Sequence, residues 1–204
     1  MELTVAPDVA AIVRPAWAVV DPVRVVDREP AQDEPLRLGA TAMRSRSESA
    51  EITAAVRTMY KLVGLDPTKT RPSSEALLRR VRKGDELPRI NSLVDVINWC
   101  SLESQLPFGL YDLDHMRGNA TLRLGRDAEE YPGIRKDVVH VGGRLVLADA
   151  AGPFGNPTSD SARTMVTPAT VRALVVIFVP VSVAASIGAR ALELTRQRIG
   201  QYCV

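Results

Sequence analysis

The sequence predicts an α+β fold, on three observations. Apolar stripes at helical spacing crowd into the stretch from Ser47 to Ser104. Strand patterns dominate after Thr121, and a final helix closes the chain. Between them there is no regular strand–helix–strand alternation, which a parallel α/β sheet would require. Aromatic residues make up only 4% of the 204 residues, so Val, Leu, Ile and Ala must build the core. A low aromatic content also argues against a fold that stacks nucleobases on many rings.

Each element has its own signal. In Leu3–Asp27 short apolar runs, Trp17–Val20 and Val23–Val26, are cut by Pro7, Pro15 and Pro22 and read as strands with turns. Glu29–Pro35 is polar and bounded by prolines, so an exposed loop is expected. Ser47–Leu62 reads as a helix, with Ile52, Val56, Met59, Tyr60 and Val63 on one stripe and Gly64 at the stop position. After a loop at Asp66–Pro72, Ser73 is placed to cap a helix that buries Leu77, Leu78 and Val81 and ends at Gly84. Ser92 followed by Asp95 resembles a capping box, opening a helix to about Ser104 that buries Leu93, Val94, Ile97 and Cys100. Thr121–Leu124 is a short strand, and Val138–Val141, Gly142-Gly143 and Arg144–Ala148 read as a hairpin. Gly152–Ser161 is a turn-rich loop, Ala173–Val179 a strand buried on both faces, and Ser182–Ile199 the last helix.

Composition removes several function classes. The net charge is +2, but Lys69–Arg89 alone holds seven basic and three acidic residues, +4, leaving −2 for the rest. A local basic patch of this kind either attracts phosphate or is a solvated arginine-rich helix face. The two cysteines, Cys100 and Cys203, fit no zinc spacing and no disulfide framework. No N-terminal run has the order of a secretion signal. The uncharged stretch Ala173–Ile187 is 15 residues with Pro180 inside it, short of the roughly 20 needed to span a bilayer. A soluble, cytoplasmic protein is expected, with no membrane partner. The chain carries no phosphate-binding loop, no dinucleotide fingerprint, no H-E-x-x-H and no nucleophile elbow. Nothing marks His115 or His140 as a general base.

Three polar clusters remain. Arg71, Ser73, Ser74 and Glu75 form a helix start that either binds an anion or simply caps the helix. Asn91, Asp95 and Asn98 share one side of the next helix. They either orient a polar ligand or form a buried structural network, since an amide donates and accepts at once. Ser159–Thr170 supplies Asp160, Ser161, Arg163, Thr164 and Thr167 after a Gly/Pro-rich loop, which is either a site or a solvated loop.

The order RPSSEALLRR, LPRIN, LVDVINWCSLESQLPFGLYDLD, LVLADAAGP is similar to the B3/B4 domain of the phenylalanyl-tRNA synthetase β subunit. It resembles most of all the free-standing bacterial versions of that domain. The resemblance covers roughly Thr41 to the C-terminus, with residues 1–40 as N-terminal strands and a loop. It implies a single domain over 1–204, with a β-sandwich of unusual topology and packed helices. In the synthetase this module hydrolyses tyrosine wrongly attached to phenylalanine tRNA. Of the motif V-V-D-x-T-N, Val94, Asp95 and Asn98 match and Ile97 stands in the threonine place. Of Q-P-x-H-A-F-D, the chain has Leu106-Pro107-Phe108-Gly109-Leu110-Tyr111-Asp112, with Gly109 in the place of the editing histidine. The synthetase's glycine-rich loop is replaced by GPFGNPTSDS, and Asp160–Thr164 is similar to a segment of the free-standing proteins.

What the resemblance implies is hydrolysis of misacylated aminoacyl-tRNA in trans, or else a non-catalytic module that binds tRNA or an amino acid. A chain of 204 residues without a candidate ATP site is not read as a synthetase. An aminoacyl ester is activated, so a site that holds water and stabilises the oxyanion can suffice without metal or cofactor. Asn98 and Asp160 are the expected catalytic positioning residues. Arg71 and Arg163 are expected to meet anionic or carbonyl groups, with Ser73, Ser74, Asn91, Asp95 and Thr164 completing the substrate-binding set. Arg79, Arg80, Arg82 and Lys83 are expected to meet tRNA phosphates.

Overall fold

The computed structural model describes residues 1–46, 50–134 and 138–204. Its spine is strand β9, Ala173–Pro180, in which all eight residues are buried. Strands β2 (Val13–Val20) and β3 (Phe108–Asp112) flank it, both antiparallel, with Trp17 opposite Val176 and Tyr111 opposite Leu174. The uninterrupted apolar run of β9 therefore marks a central antiparallel strand with both edges occupied and both faces covered. A second sheet has the order β1-β4-β7-β8, from Leu3–Val5, Ala120–Leu124, Leu145–Asp149 and Gly152–Gly155. In it β1 runs parallel to β4 and the other pairs are antiparallel. A two-stranded ribbon joins β5 (Glu130–Tyr131) to β6 (Val139–His140).

Among the described residues five helices pack on these sheets: α1 (Asp33–Arg44), α2 (Ala50–Leu62), α3 (Ser73–Arg82), α4 (Ser92–Ser104) and α5 (Ala185–Tyr202). The main core runs through β9, β3, α2, α4 and the second sheet, and includes Tyr60, Leu93, Leu122, Leu147 and Phe178. A separate apolar cluster, Leu36, Met43, Leu78, Val81, Trp99 and Leu102, locks α1 and α3 against α4. The mixture is the α+β fold that the sequence predicts.

Several local expectations are corrected. Glu29–Pro35 is not an exposed loop: Pro30–Gln32 is a 3-10 turn, α1 follows at once, and Gln32 is fully buried. Pro35 lies in the first turn of α1, where no intrahelical partner awaits its missing N–H, so it does not break the helix. Leu36, Ala40 and Met43 form the buried stripe of that helix. Val23–Val26 is not a strand; Val23 and Arg24 instead donate singly to Val171 and Cys203 carbonyls. The predicted helix start at Ser47 lies outside the described residues, and α2 is seen from Ala50. Ser73 does not cap α3, and no side chain does.

The cap of α4 is shifted by one residue. Asn91 Oδ1 accepts from the Val94 N–H at 2.9 Å, and Ser92 Oγ accepts from Val26 N–H at 3.1 Å. The expected hairpin at Val138–Ala148 does not pair with itself. Both edges of β7 are taken by β4 and β8, so β6 has no side of it to join and pairs with β5.

One buried ion pair fixes the entry to α4. The Asp95 side chain is fully buried; Arg89 Nε donates to its Oδ2 at 2.6 Å and Ile90 N–H to its Oδ1 at 2.8 Å. Arg89 also bridges to Asp33 at the start of α1. Removing one member of a buried pair leaves an uncompensated charge and costs about 3–5 kcal/mol. Arg89→Ala is therefore expected to lower unfolding free energy by about 3 kcal/mol in urea melts at neutral pH. Adding Asp95→Asn is expected to recover part of that loss.

Candidate functional site

The chain brings α4, β3 and the loop after β8 together around a cavity of about 320 Å³. Asn91, Val94 and Asn98 reach it from one stripe of α4, at helical spacing. Phe108 and Leu110 come from β3, and Asn156, Thr158 and Asp160 from the loop. Ser73 enters from the first turn of α3, and Ile90, Ile134 and Met165 complete apolar walls. The volume lies at the lower end of small-molecule sites, about 300–1,000 Å³.

The loop is held by specific bonds, not by packing alone. Asn156 Oδ1 accepts from the N–H groups of Thr158 and Ser159 at 2.8 and 2.9 Å. Its Nδ2 donates to the Tyr131 hydroxyl, which donates in turn to the Ser159 carbonyl at 2.6 Å. Tyr60 on α2 donates to the Pro157 carbonyl at 2.9 Å and contacts the Thr158 hydroxyl. Ser73 Oγ donates to the same Pro157 carbonyl at 3.3 Å. The polar groups of the loop are thus presented from a rigid frame.

Asp160 is the ionisable side chain among the described residues that line this cavity. The residue keeps some surface, but its Oδ1 is sealed from solvent and has no hydrogen-bond partner among the described residues. Burial pushes its carboxyl up to about 7, while the nearby Tyr111 hydroxyl and Leu110 N–H pull it down by less. Neither completes a hydrogen bond to Oδ1, and the Tyr111 hydroxyl is itself buried without a partner among the described residues.

The sequence-predicted residues divide into those that meet here and those that do not. Asn98, Asp160, Ser73 and Asn91 line the cavity. Asp95, expected on the same side as Asn98, points away into its bond with Arg89. Arg71 lies 3.7 Å from Glu75 in an i,i+4 pair outside the cavity. Ser74 is buried and donates to the Gln105 carbonyl at 3.0 Å, tying α3 to the end of α4. Arg163 forms a two-pronged pair with the buried Asp149 at 2.9 and 3.0 Å, and Thr164 is fully buried beside Phe154. Arg79, Arg80, Arg82 and Lys83 are exposed at the far end of α3 from Ser73. His115 and His140 lie outside the cavity, beside Asp112 and Glu130. No group of metal-ligating side chains occurs among the described residues, and no described helix is long and apolar enough to cross a membrane.

Sequence reasoning missed two parts of the site. Asn156 was embedded in a turn-rich stretch whose composition gave no ligand signal. Tyr111 was legible only as a motif position, yet its side chain underlies Asp160. Its hydroxyl occupies the space that a Cβ on Gly109 would need, and its ring the space over Gly155.

The model of a family described as B3/4 domain matches residues 55–197. The phenylalanine–tRNA ligase beta subunit of Bartonella henselae is 34% identical over 64 residues, 31% of this chain and 8% of that protein. That of Fusobacterium nucleatum is 35% identical over 82 residues, 40% of this chain and 10% of that protein. The chain thus spans about a tenth of the length of these curated relatives. A crystal structure of an N-terminal fragment of the phenylalanyl-tRNA synthetase beta subunit from Pyrococcus horikoshii superposes with a TM-score of 0.50. It is 12% identical and covers 98% of this chain and 48% of that one, a likeness of fold.

The environment of Asp160 makes stability pH-dependent. Its carboxyl titrates near 3.8 when unfolded and near 7 when folded, so the native state binds the proton more tightly. Stability from this group is fully present below the unfolded value and is lost as pH rises through the window between the two. The loss is bounded at about 4 kcal/mol, from about 1.4 kcal/mol for each pH unit. Melting temperature should therefore fall between pH 4 and pH 7, and Asp160→Asn should flatten that fall. Thermal unfolding of both proteins across this range checks it; parallel curves would exclude it.

Proposed function

Because the chain belongs to the B3/4 domain family, we propose that it hydrolyses amino acids wrongly esterified to tRNA, at the cavity between α4, β3 and the loop after β8. The observation that carries this reading is the meeting of Asn98 and Asp160 in one cavity beside Ser73 and Asn91. An ester carbonyl needs a donor for the developing oxyanion and a group that holds the attacking water. The Asn98 amide supplies the first. Asp160 supplies the second, because a carboxylate that titrates near 7 is well matched to proton transfer at neutral pH. The apolar walls exclude bulk water from the carbonyl. The residues that bind the ester in this reading are Asn98, Asp160, Asn91 and Ser73. Arg71, Ser74, Asp95, Arg163 and Thr164 support them from outside the cavity.

The RNA side of the proposal rests on α3. Its first residue, Ser73, lines the cavity, and its last turn carries exposed Arg79, Arg80 and Arg82, with Lys83 following. At about 1.5 Å per residue the basic surface stands roughly 10–15 Å from the cavity along that helix. That spacing suits phosphates near the acceptor end while the aminoacyl group enters the cavity. A non-catalytic tRNA- or amino-acid-binding module is the second reading, favoured by the absence of a histidine from the cavity lining among the described residues.

One measurement separates the readings and a second tests the RNA surface. In a panel of mischarged tRNAs, at least one is expected to lose its amino acid faster than background, and Asn98→Ala to slow that reaction about 100-fold. Binding without deacylation of any member would select the non-catalytic module. Arg79→Ala with Arg80→Ala is expected to weaken tRNA binding and to reduce the salt dependence of affinity by about two counterions. An unchanged salt slope would remove these arginines from the interface.

A further inference from the structure

The geometry points to Tyr111 as a positioning residue for Asp160: its buried hydroxyl stands behind the carboxylate, holds Oδ1, and sets which face of Asp160 the cavity receives. The catalytic consequence rests on the hydrolase reading above, but the pairing itself does not.

The argument starts from the backbone. Residues two apart on a strand share a face, so the Tyr111 side chain lies on the same side of β3 as Gly109. It folds back over that glycine: a Cβ at Gly109 would overlap the Tyr111 hydroxyl. On the other side of the ring is Gly155, where a Cβ would also overlap the ring and its hydroxyl. Gly155 is bridged antiparallel to Asp160. The two glycines therefore form a slot that aims the tyrosine hydroxyl at the residue paired with Gly155. Phe154 closes the slot edge-on, with ring centroids 4.9 Å apart and planes at 84°. The ring has no freedom to swing elsewhere, since Tyr111 is 0% exposed.

At the end of the slot are two orphaned polar atoms. The Tyr111 hydroxyl and Asp160 Oδ1 are both shut off from solvent, and neither has a hydrogen-bond partner among the described residues. A buried unpaired hydroxyl costs free energy, and so does a buried unpaired carboxylate oxygen, so two such atoms side by side call for a common explanation. Each is the only kind of partner the other lacks: a donor facing an acceptor. A small closing movement, or one shared proton, satisfies both. The remaining oxygen of Asp160 is then directed toward the cavity. Tyr131 is the other titratable group that interacts with Asp160, and its hydroxyl is already engaged by Asn156 and the Ser159 carbonyl. The Leu110 N–H faces Asp160 from β3. Among the described residues, Tyr111 is therefore the titratable side chain with a free donor for this carboxylate.

Tyr111→Phe tests this directly, because it keeps the ring in its slot and removes only the hydroxyl. The protein is labelled for carbon-detected magnetic resonance, and the Asp160 carboxyl signal is assigned by its disappearance in Asp160→Asn. In the native chain that carboxyl is expected to titrate near 7, and in Tyr111→Phe about one pH unit higher, since a donor that favours the charged form is gone. The pH of half-maximal deacylation should move up by the same amount, with KM for the charged tRNA unchanged. Identical Asp160 titrations in the two proteins overturn the pairing. If no charged tRNA is hydrolysed, the hydrolase reading falls while the titration still decides the pairing. Gly109→Ala gives an independent arm, since its Cβ must displace the hydroxyl; it should reproduce the upward shift with the tyrosine still present.

Discussion

Strand β9 has no exposed residue over its eight positions, and this burial constrains the rest of the molecule. A strand buried on both faces needs neighbours on both edges and a layer on each side. The edges are β2 and β3. Because β3 must lie against β9, all five of its residues are buried as well, and it cannot present an exposed face. The chain reaches β3 straight from α4 through Gln105, which takes a left-handed backbone at φ 58°. That conformation is unfavourable for a residue with a Cβ. It is offset by the bonds around Gln105, whose side chain donates to the Leu102 carbonyl at 2.6 Å and whose own carbonyl accepts from Ser74. The tight turn sets α4 beside β3, and the cavity is the space left between their side chains.

The polar groups of that cavity differ in how completely they are satisfied. Asn91 and Asn156 spend acceptor capacity on backbone N–H groups, so their positions are fixed by the fold. Asp95 is bound by Arg89 and Ile90, although burial still raises its carboxyl above the ordinary value. Asp160 is different, since desolvation dominates its environment and no basic side chain compensates it among the described residues. A buried acid of that kind weakens the native state at neutral pH. Groups left in this condition cluster at functional sites, because the same imbalance that costs stability tunes a proton-transfer group. Arg163 and Asp149 provide the contrast a few residues away. Burial alone would raise the Asp149 carboxyl, but Arg163 and two backbone N–H groups outweigh it and hold it below its ordinary value.

Much of this was legible in the sequence, for reasons that differ by element. The stripe in α2, the glycine stops at Gly64 and Gly84, and the apolar run of β9 depend on local periodicity and were read directly. Helix α1 was hidden by Pro30 and Pro35, because proline in a first turn is tolerated but reads as punctuation. The hairpin failed because strand pairing is a competition for edges, and β7 had already given both of its edges away. For the site, Asn98 and Asp160 could be named from residue type and motif order, and they do line one cavity. Asp95 and Asn98 were separable only in three dimensions. Helical spacing places them on one side of α4, and the bond to Arg89 turns Asp95 away from the cavity.

The most informative departure from the resembling motif lies at Gly109. Taken singly, a glycine in the place of an editing histidine removes a side chain and argues for lost chemistry. Taken with Tyr111 it is half of an exchange. A tyrosine at 111 can lie flat only where both flanking positions lack a Cβ, and those positions are Gly109 and Gly155. A histidine at 109 would therefore be incompatible with this tyrosine, and a bulkier residue at 155 likewise. The space such a side chain would claim is filled by a hydroxyl that reaches toward the carboxylate on the cavity wall. The missing side chain at 109 and the seat of the tyrosine at 111 are thus one steric fit. In this chain the space at Gly109 and Gly155 is held by the ring and hydroxyl of Tyr111.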